Sequence, residues 1–179
     1  MGGPPALYAA AKFPDRVAGV VVVNSLLFPD APTSWEVAVM RRAGLGTSAF
    51  LLAPRAVFTQ CLRTFLPPGT SLPSAIEADL WRAFRAPSVR AHLAAMCRAY
   101  EAELPDAPAI YDRVACPVVA VWGTEEAHFP REHATRLRGE RPERRVVDVE
   151  RGTHWTHFTH PAVVADVVRG LWKEVGWTP

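Results

Sequence analysis

The sequence predicts an α/β fold, with three parallel strands, flanking helices and an all-helical insertion between the first and second strands. Two apolar runs carry most of that prediction. Val17–Asn24 (Val-Ala-Gly-Val-Val-Val-Val-Asn) and Pro117–Trp122 (Pro-Val-Val-Ala-Val-Trp) are short and apolar almost throughout. Strands buried on both faces of a parallel sheet have this character. The third observation is alternation. A helical pattern precedes the first run, and others follow the second run and the more polar run Arg145–Val149. Strands that alternate with helices imply a parallel sheet with right-handed crossovers.

The elements follow in order. Pro4–Lys12 is rich in Ala and Leu and reads as a helix. Pro4 and Pro5 suit a first helical turn, where no amide donor is needed, and Pro14-Asp15 ends the helix. Val17–Asn24 is the first strand. From Leu26 to Asp112 no strand signal occurs, and amphipathic helices are expected near Ser34–Ala43, Ser48–Phe65, Pro73–Phe84 and Pro87–Glu103. Loops such as Leu66-Pro-Pro-Gly-Thr70 separate them. The bulky residues Trp35, Phe50, Phe58, Trp81, Phe84 and Tyr100 read as core of this insertion rather than as pocket lining. Phe129-Pro130 introduces a helix that runs through Leu137, and Arg145–Val149 has the polarity of an edge strand. Pro161 opens a last helix, with Val163, Val164, Val167, Val168, Leu171 and Trp172 on one face. Residues 1–25 and 113–179 thus form a partial α/β core around a helical segment, 26–112.

Composition narrows the function classes. The chain has 179 residues, 49% hydrophobic and 21% charged, enough for a domain with its own core. A formal net charge of +2 gives no footprint for a nucleic-acid partner. The run Arg136, Arg138, Arg141, Arg144, Arg145 is interrupted by Glu140 and Glu143 and reads as a solvated helix end. Cys61, Cys97 and Cys116 are odd in number and lack CxxC or metal-ligand spacing, so they are expected to be packing thiols in a reducing compartment. No apolar stretch has the length of a membrane span, and no secretory pattern is visible. A cytoplasmic location without a membrane partner is expected.

Four pieces of the sequence together resemble the α/β-hydrolase family. Met1-Gly2-Gly3-Pro4-Pro5-Ala6-Leu7, then Phe13-Pro14-Asp15-Arg16-Val17 and Val20–Asn24, resemble the segment after the nucleophile elbow G-x-S-x-G. Many members continue Ser-Met-Gly-Gly, a helix, Pro-(Asp/Glu)-Arg-Val and a Val-rich strand. Cys116-Pro117 through Val121-Trp122-Gly123-Thr124-Glu125-Glu126 resembles the strand that ends in W-G-x-x-D and carries the triad acid. Gly152-Thr153-His154-Trp155 resembles the G-x-G-H loop that carries the triad histidine. The segment 26–112 stands where capped members carry a helical cap. Two departures are visible: Glu stands where most members have Asp, and Thr153 replaces a common Gly.

The resemblance implies a C-terminal part of an α/β-hydrolase fold that begins just after the nucleophile, with the nucleophile preceding Met1. His154 would be the base and Glu126 the acid that orients it, in the chain order of this fold. Glu125 is the alternative acid, and His157 and His160 are alternative bases. The backbone amide of Met1 would supply an oxyanion-hole donor beside the N-terminus of the first helix. Asn24 lies at an alternative acid site of some members. An amide cannot stabilise imidazolium by charge, so a turn or pocket hydrogen bond is its expected role. Ester, lactone or similar bond cleavage is implied with a Ser nucleophile, and epoxide or haloalkane chemistry with Asp. The substrate is expected to be a small, apolar molecule. No cofactor and no metal are expected. His154, His157 and His160 would need a helix to converge on an ion, and Gly152 and Pro161 bracket an expected loop. A second reading is a non-catalytic remnant or interaction module, in which the exposed edge of Val20–Val23 pairs with another chain.

Overall fold

A computed structural model describes residues 2–30, 32–42 and 44–177. Three strands, β1 (Val20–Val23), β2 (Val118–Gly123) and β3 (Arg144–Val149), form a parallel sheet in the order β1-β2-β3. Val20 pairs with Val118 and Val23 with Val121, while Val118 pairs with Arg144 and Gly123 with Val149. Every residue of β2 is buried, as a central strand with β-branched side chains on both faces requires.

Helices flank this sheet: α1 (Gly3–Lys12), α7 (Ala107–Tyr111), α8 (Glu132–Arg138), the single turn α9 (Thr156–Thr159) and α10 (Pro161–Glu174). Side chains alternate across a strand. Val119 and Val121 meet Val149 and Leu171, with Val164 and Val167 of α10 packed around them. On the opposite face the indole of Trp122 stacks on His133 of α8, with ring centroids 6.2 Å apart. Helix α8 ends at Gly139, whose φ of 53° is open to glycine at little cost. Arg144 is buried, and its guanidinium donates to the carbonyls of Leu137, Tyr111 and Val114. A buried charge needs such partners.

Among the described residues, five further α-helices lie between β1 and α7: α2 (Trp35–Arg41), α3 (Leu45–Leu52), α4 (Pro54–Phe65), α5 (Ser74–Phe84) and α6 (Pro87–Glu103). The chain divides into two compact units. One holds the residues up to Pro32 and those from Leu104 onward; the other is Thr33–Glu103. The helical unit is narrower than the segment 26–112 expected from sequence. Leu26, Leu27, Phe28 and Tyr111 are buried, and the Tyr111 hydroxyl donates to the Leu27 carbonyl at 3.0 Å. These residues belong to the strand-bearing unit.

The helical unit is built on aromatic packing. Phe58 lies 5.3 Å from Trp81 and 5.7 Å from Phe84, and Phe50 lies 5.9 Å from Phe84. The Arg55 guanidinium covers Trp81 at 4.7 Å. Trp35 departs from the expected core assignment, being 67% exposed; the side chain of Tyr100 lies outside those described. The single helix expected over Ser48–Phe65 is two helices. Pro54 has no amide hydrogen and takes the first position of α4, while Ala53 before it leaves the helical region at φ −129° and ψ 49°. The short helices α7 and α9 were not expected, and α9 places a helical turn inside the predicted loop between Gly152 and Pro161.

Candidate active site

The carboxyl ends of β1, β2 and β3 bring three chain segments together, and two glycines set how closely. A Cβ built on Gly123 would lie 2.1 Å from the Gly152 carbonyl oxygen. One built on Gly152 would lie 2.9 Å from the Gly123 Cα and 3.0 Å from the Thr156 Oγ1. Any larger residue at either position would force the two backbones apart. The loops are also laced by hydrogen bonds. The amide of Thr124 donates to the Val149 carbonyl at 3.0 Å, and that of Glu125 to the Gly152 carbonyl at 2.9 Å. The amide of Arg151 donates to Thr124 Oγ1 at 2.9 Å.

This lacing places Glu126 beside His154. The Glu126 Oε2 lies 2.9 Å from the His154 Nδ1. Its Oε1 accepts the backbone N–H of His128 at 2.6 Å and of Phe129 at 3.2 Å. The Glu126 side chain is 1% exposed. A carboxylate so buried is tolerated only when its oxygens are bonded, and here both are. One oxygen is held by the turn that follows it, which leaves the other aimed at the imidazole. The His154 ring packs edge-on against His128, with centroids 5.1 Å apart, and against Phe129 at 5.4 Å.

The other candidates lie elsewhere. The adjacent Glu125 is exposed. His157 is on α9, is exposed, and its ring lies 4.6 Å from that of Phe158. The His160 Nδ1 lies 2.9 Å from Thr159 Oγ1. Among the described residues no group of three or more His, Cys, Asp or Glu is arranged to hold a metal ion. Met1 lies outside the described residues. Close to it, the amide of Gly3 donates to the buried Ser25 Oγ at 3.1 Å, which ties the start of α1 to the end of β1. A Cβ on Gly3 would lie 2.5 Å from that oxygen.

Asn24 makes the hydrogen bonds expected of an amide there, and more of them than a turn requires. His128, Thr156 and His133 were not singled out from sequence. No local pattern marks His128 or Thr156, since their partners are set by the fold. His133 is fully buried, and its Nδ1 accepts the N–H groups of Leu27 at 3.1 Å and Phe28 at 3.2 Å. Burial, with the nearby Arg136 charge adding to it, pushes its pKa down to about 4. A polar residue on the inward face of an amphipathic helix is the only sequence signal it carries.

Comparison with known proteins bears on the fold. The family model described as alpha/beta hydrolase fold matches residues 1–161, and the chain belongs to that family. Its fold is shared with the 2-hydroxy-6-oxo-6-phenylhexa-2,4-dienoate hydrolase of Rhodococcus sp. strain RHA1. That match has a TM-score of 0.76 and 17% identity, covering 97% of this chain and 61% of that one. A thermophilic esterase from Thermogutta terrifontis matches with a TM-score of 0.74 and 20% identity, over 98% of this chain and 62% of that one. A haloalkane dehalogenase loop variant from Bradyrhizobium elkanii matches with a TM-score of 0.79 and 16% identity, over 98% and 65%. The chain thus spans less than two thirds of the length of each of these structures. No curated protein matches the sequence. Among the described residues, no helix is long and apolar enough to cross a membrane.

Proposed function

We propose that this chain is the C-terminal part of a hydrolase that cleaves an ester, lactone or similar bond through a nucleophile–histidine–acid triad. The observation that carries the reading is the 2.9 Å approach of Glu126 Oε2 to His154 Nδ1, with the other carboxylate oxygen held by two backbone amides. The carboxylate orients the ring and stabilises the imidazolium that forms when His154 accepts a proton through Nε2. His154 removes the proton of a serine nucleophile as that oxygen attacks the substrate carbonyl. It returns the proton to the leaving oxygen, which leaves an acyl-enzyme. The same nitrogen then activates the water that releases the acid.

The nucleophile is read as the residue before Met1, and the Met1 amide as a donor to the oxyanion. The match of nearly the whole chain to under two thirds of each solved structure supports a longer functional protein. The helical unit Thr33–Glu103 is read as the cap that sets substrate choice, with a small apolar substrate. A protein extended to include the nucleophile should hydrolyse short p-nitrophenyl esters. His154→Ala should lower kcat by about 10⁶-fold. Equal rates for His154→Ala and wild type would remove His154 from the mechanism.

A second reading draws on the sheet. β1 is an edge strand of four valines whose sole partner among the described strands is β2. An apolar edge of this kind pairs readily with another chain, so the 179 residues alone would serve as an inactive interaction module. Sedimentation of the 179-residue chain separates the two. A chain that stays monomeric at the highest concentrations reached speaks against edge pairing.

A further inference from the structure

We propose that Asn24 is a positioning residue for His154, acting by fastening the loop on both sides of the imidazole to the strand that leads to Glu126. The proposal rests on the reading of Glu126 and His154 as acid and base. Asn24 is buried, and its φ of 37° is positive, one of two such non-glycine residues described. Asparagine tolerates this left-handed conformation better than most side chains.

The turn changes how the sheet ends. The Asn24 amide makes the last ladder bond of β1, to the Val121 carbonyl at 3.2 Å. In a parallel ladder the next bond would run from the Gly123 amide to the Asn24 main-chain carbonyl. The Gly123 amide instead donates to the Asn24 Oδ1 at 2.9 Å. The side chain thus stands in for its own backbone. β1 can turn away, and the amide nitrogen is directed at the histidine loop.

There the Asn24 Nδ2 donates to the carbonyl of Thr153 at 2.8 Å and to that of His154 at 3.1 Å. It also donates to the Thr156 Oγ1 at 2.9 Å, and that hydroxyl itself donates to the Thr153 carbonyl at 2.6 Å. Two hydrogens serve three acceptors, so one is shared. One carboxamide therefore bonds the main chain at and before His154, the first turn of α9, and the end of β2. Glu126 is only three residues beyond Gly123, and its amide donates back to the Gly123 carbonyl at 3.3 Å. The acid and the base hang from the two sides of one clamp. This fixes their separation without Asn24 touching either functional group. The clamp spans more than a hundred residues of sequence, so no local motif reveals it.

The test is proton NMR of the His154 Nδ1–H in the full chain. A proton held between an imidazole and a buried carboxylate exchanges slowly and gives a separate downfield signal. Glu126→Ala defines its loss. Asn24→Gly removes the carboxamide but accepts the positive φ, so the turn can persist. Asn24→Asp keeps the acceptor for the Gly123 amide and loses both donors to the loop. The expected result is a cooperative urea transition in both Asn24 variants, with the Nδ1–H signal lost as in Glu126→Ala. An unchanged signal in a folded Asn24→Gly or Asn24→Asp overturns the proposal and leaves the Glu126–His154 pairing standing. A wild-type signal that survives in Glu126→Ala overturns the pairing itself. A longer protein that carries the nucleophile adds a second readout: Asn24→Asp lowers kcat and leaves KM within a factor of two or so.

Discussion

Each of the two units of this chain is held together internally by a different kind of contact. The strand-bearing unit depends on close backbone approach and buried hydrogen bonds: Gly123 against Gly152, Asn24 across three segments, and Glu126 between two amides and an imidazole. The helical unit Thr33–Glu103 depends on ring packing around Phe58, Trp81 and Phe84, and leaves Trp35 and Leu52 largely exposed. Backbone contacts and directed bonds tolerate almost no change in residue type. Aromatic packing needs bulk and apolarity, which many sequences supply. A fold that holds side chains to within a fraction of an ångström uses the first kind of contact where they meet. It can use the second kind elsewhere.

The largest expected effect breaks the first unit at one atom. Gly123→Ala puts a methyl group 2.1 Å from the Gly152 carbonyl oxygen, a clash with backbone that no rotamer relieves. A loss of about 4 kcal/mol in stability is expected from urea unfolding. Phe58→Ala, in the second unit, removes a ring that is 5% exposed, and should cost about 3 to 4 kcal/mol. Its effect should stay local. Hydrogen exchange should quicken across α4–α6 and stay unchanged in β2, and a faster β2 would contradict the division.

A pH-dependent loss should follow from His133. The folded chain holds its imidazole neutral, with Nδ1 accepting two N–H groups and a pKa pushed down to about 4 from 6.5. Protonation turns that acceptor into a donor facing two donors. The unfolded chain binds the proton more readily. The contribution is thus fully present above pH 6.5 and is lost as pH falls from there through about 4, by at most about 3 kcal/mol. His133→Gln offers an acceptor that does not titrate, so the difference in stability between wild type and variant should shrink across that window. An unchanged difference would remove His133 from the acid response. The smallest effect is expected at Leu52, 83% exposed. Leu52→Ser should stay within about 0.5 kcal/mol by the same unfolding measurement.

How much of this was legible in the sequence varies by the same contrast. The strands were readable because β-branched runs report burial locally, and their parallel order followed from the alternation with helices. The segments around Glu126 and His154 were readable because Trp-Gly-Thr-Glu-Glu and Gly-Thr-His resemble the acid-bearing strand end and the histidine loop of the α/β-hydrolases. The two glycines in those stretches are the pair whose backbones touch. In the helical unit, boundaries were harder. Pro54 breaks a helix that apolar periodicity alone carries through, and the exposed Trp35 shows that bulk does not imply burial. Tyr111 and Phe28 joined the other unit because a hydroxyl finds a carbonyl and an imidazole finds two amides, and neither pairing has a local signature. Asn24 was visible as a strand-end amide. That it replaces a rung of the sheet and fastens the histidine loop depends on partners 99 and 129 to 132 residues away.

The most direct test of the hydrolase reading is the intact mass of the protein from its native cell, after reaction with a serine-directed fluorophosphonate. The account predicts a mass above 19.7 kDa and a single adduct on a serine immediately before Met1. A protein of 19.7 kDa that carries no adduct would contradict it, and would leave the pairing of β1 with another chain as the function to pursue.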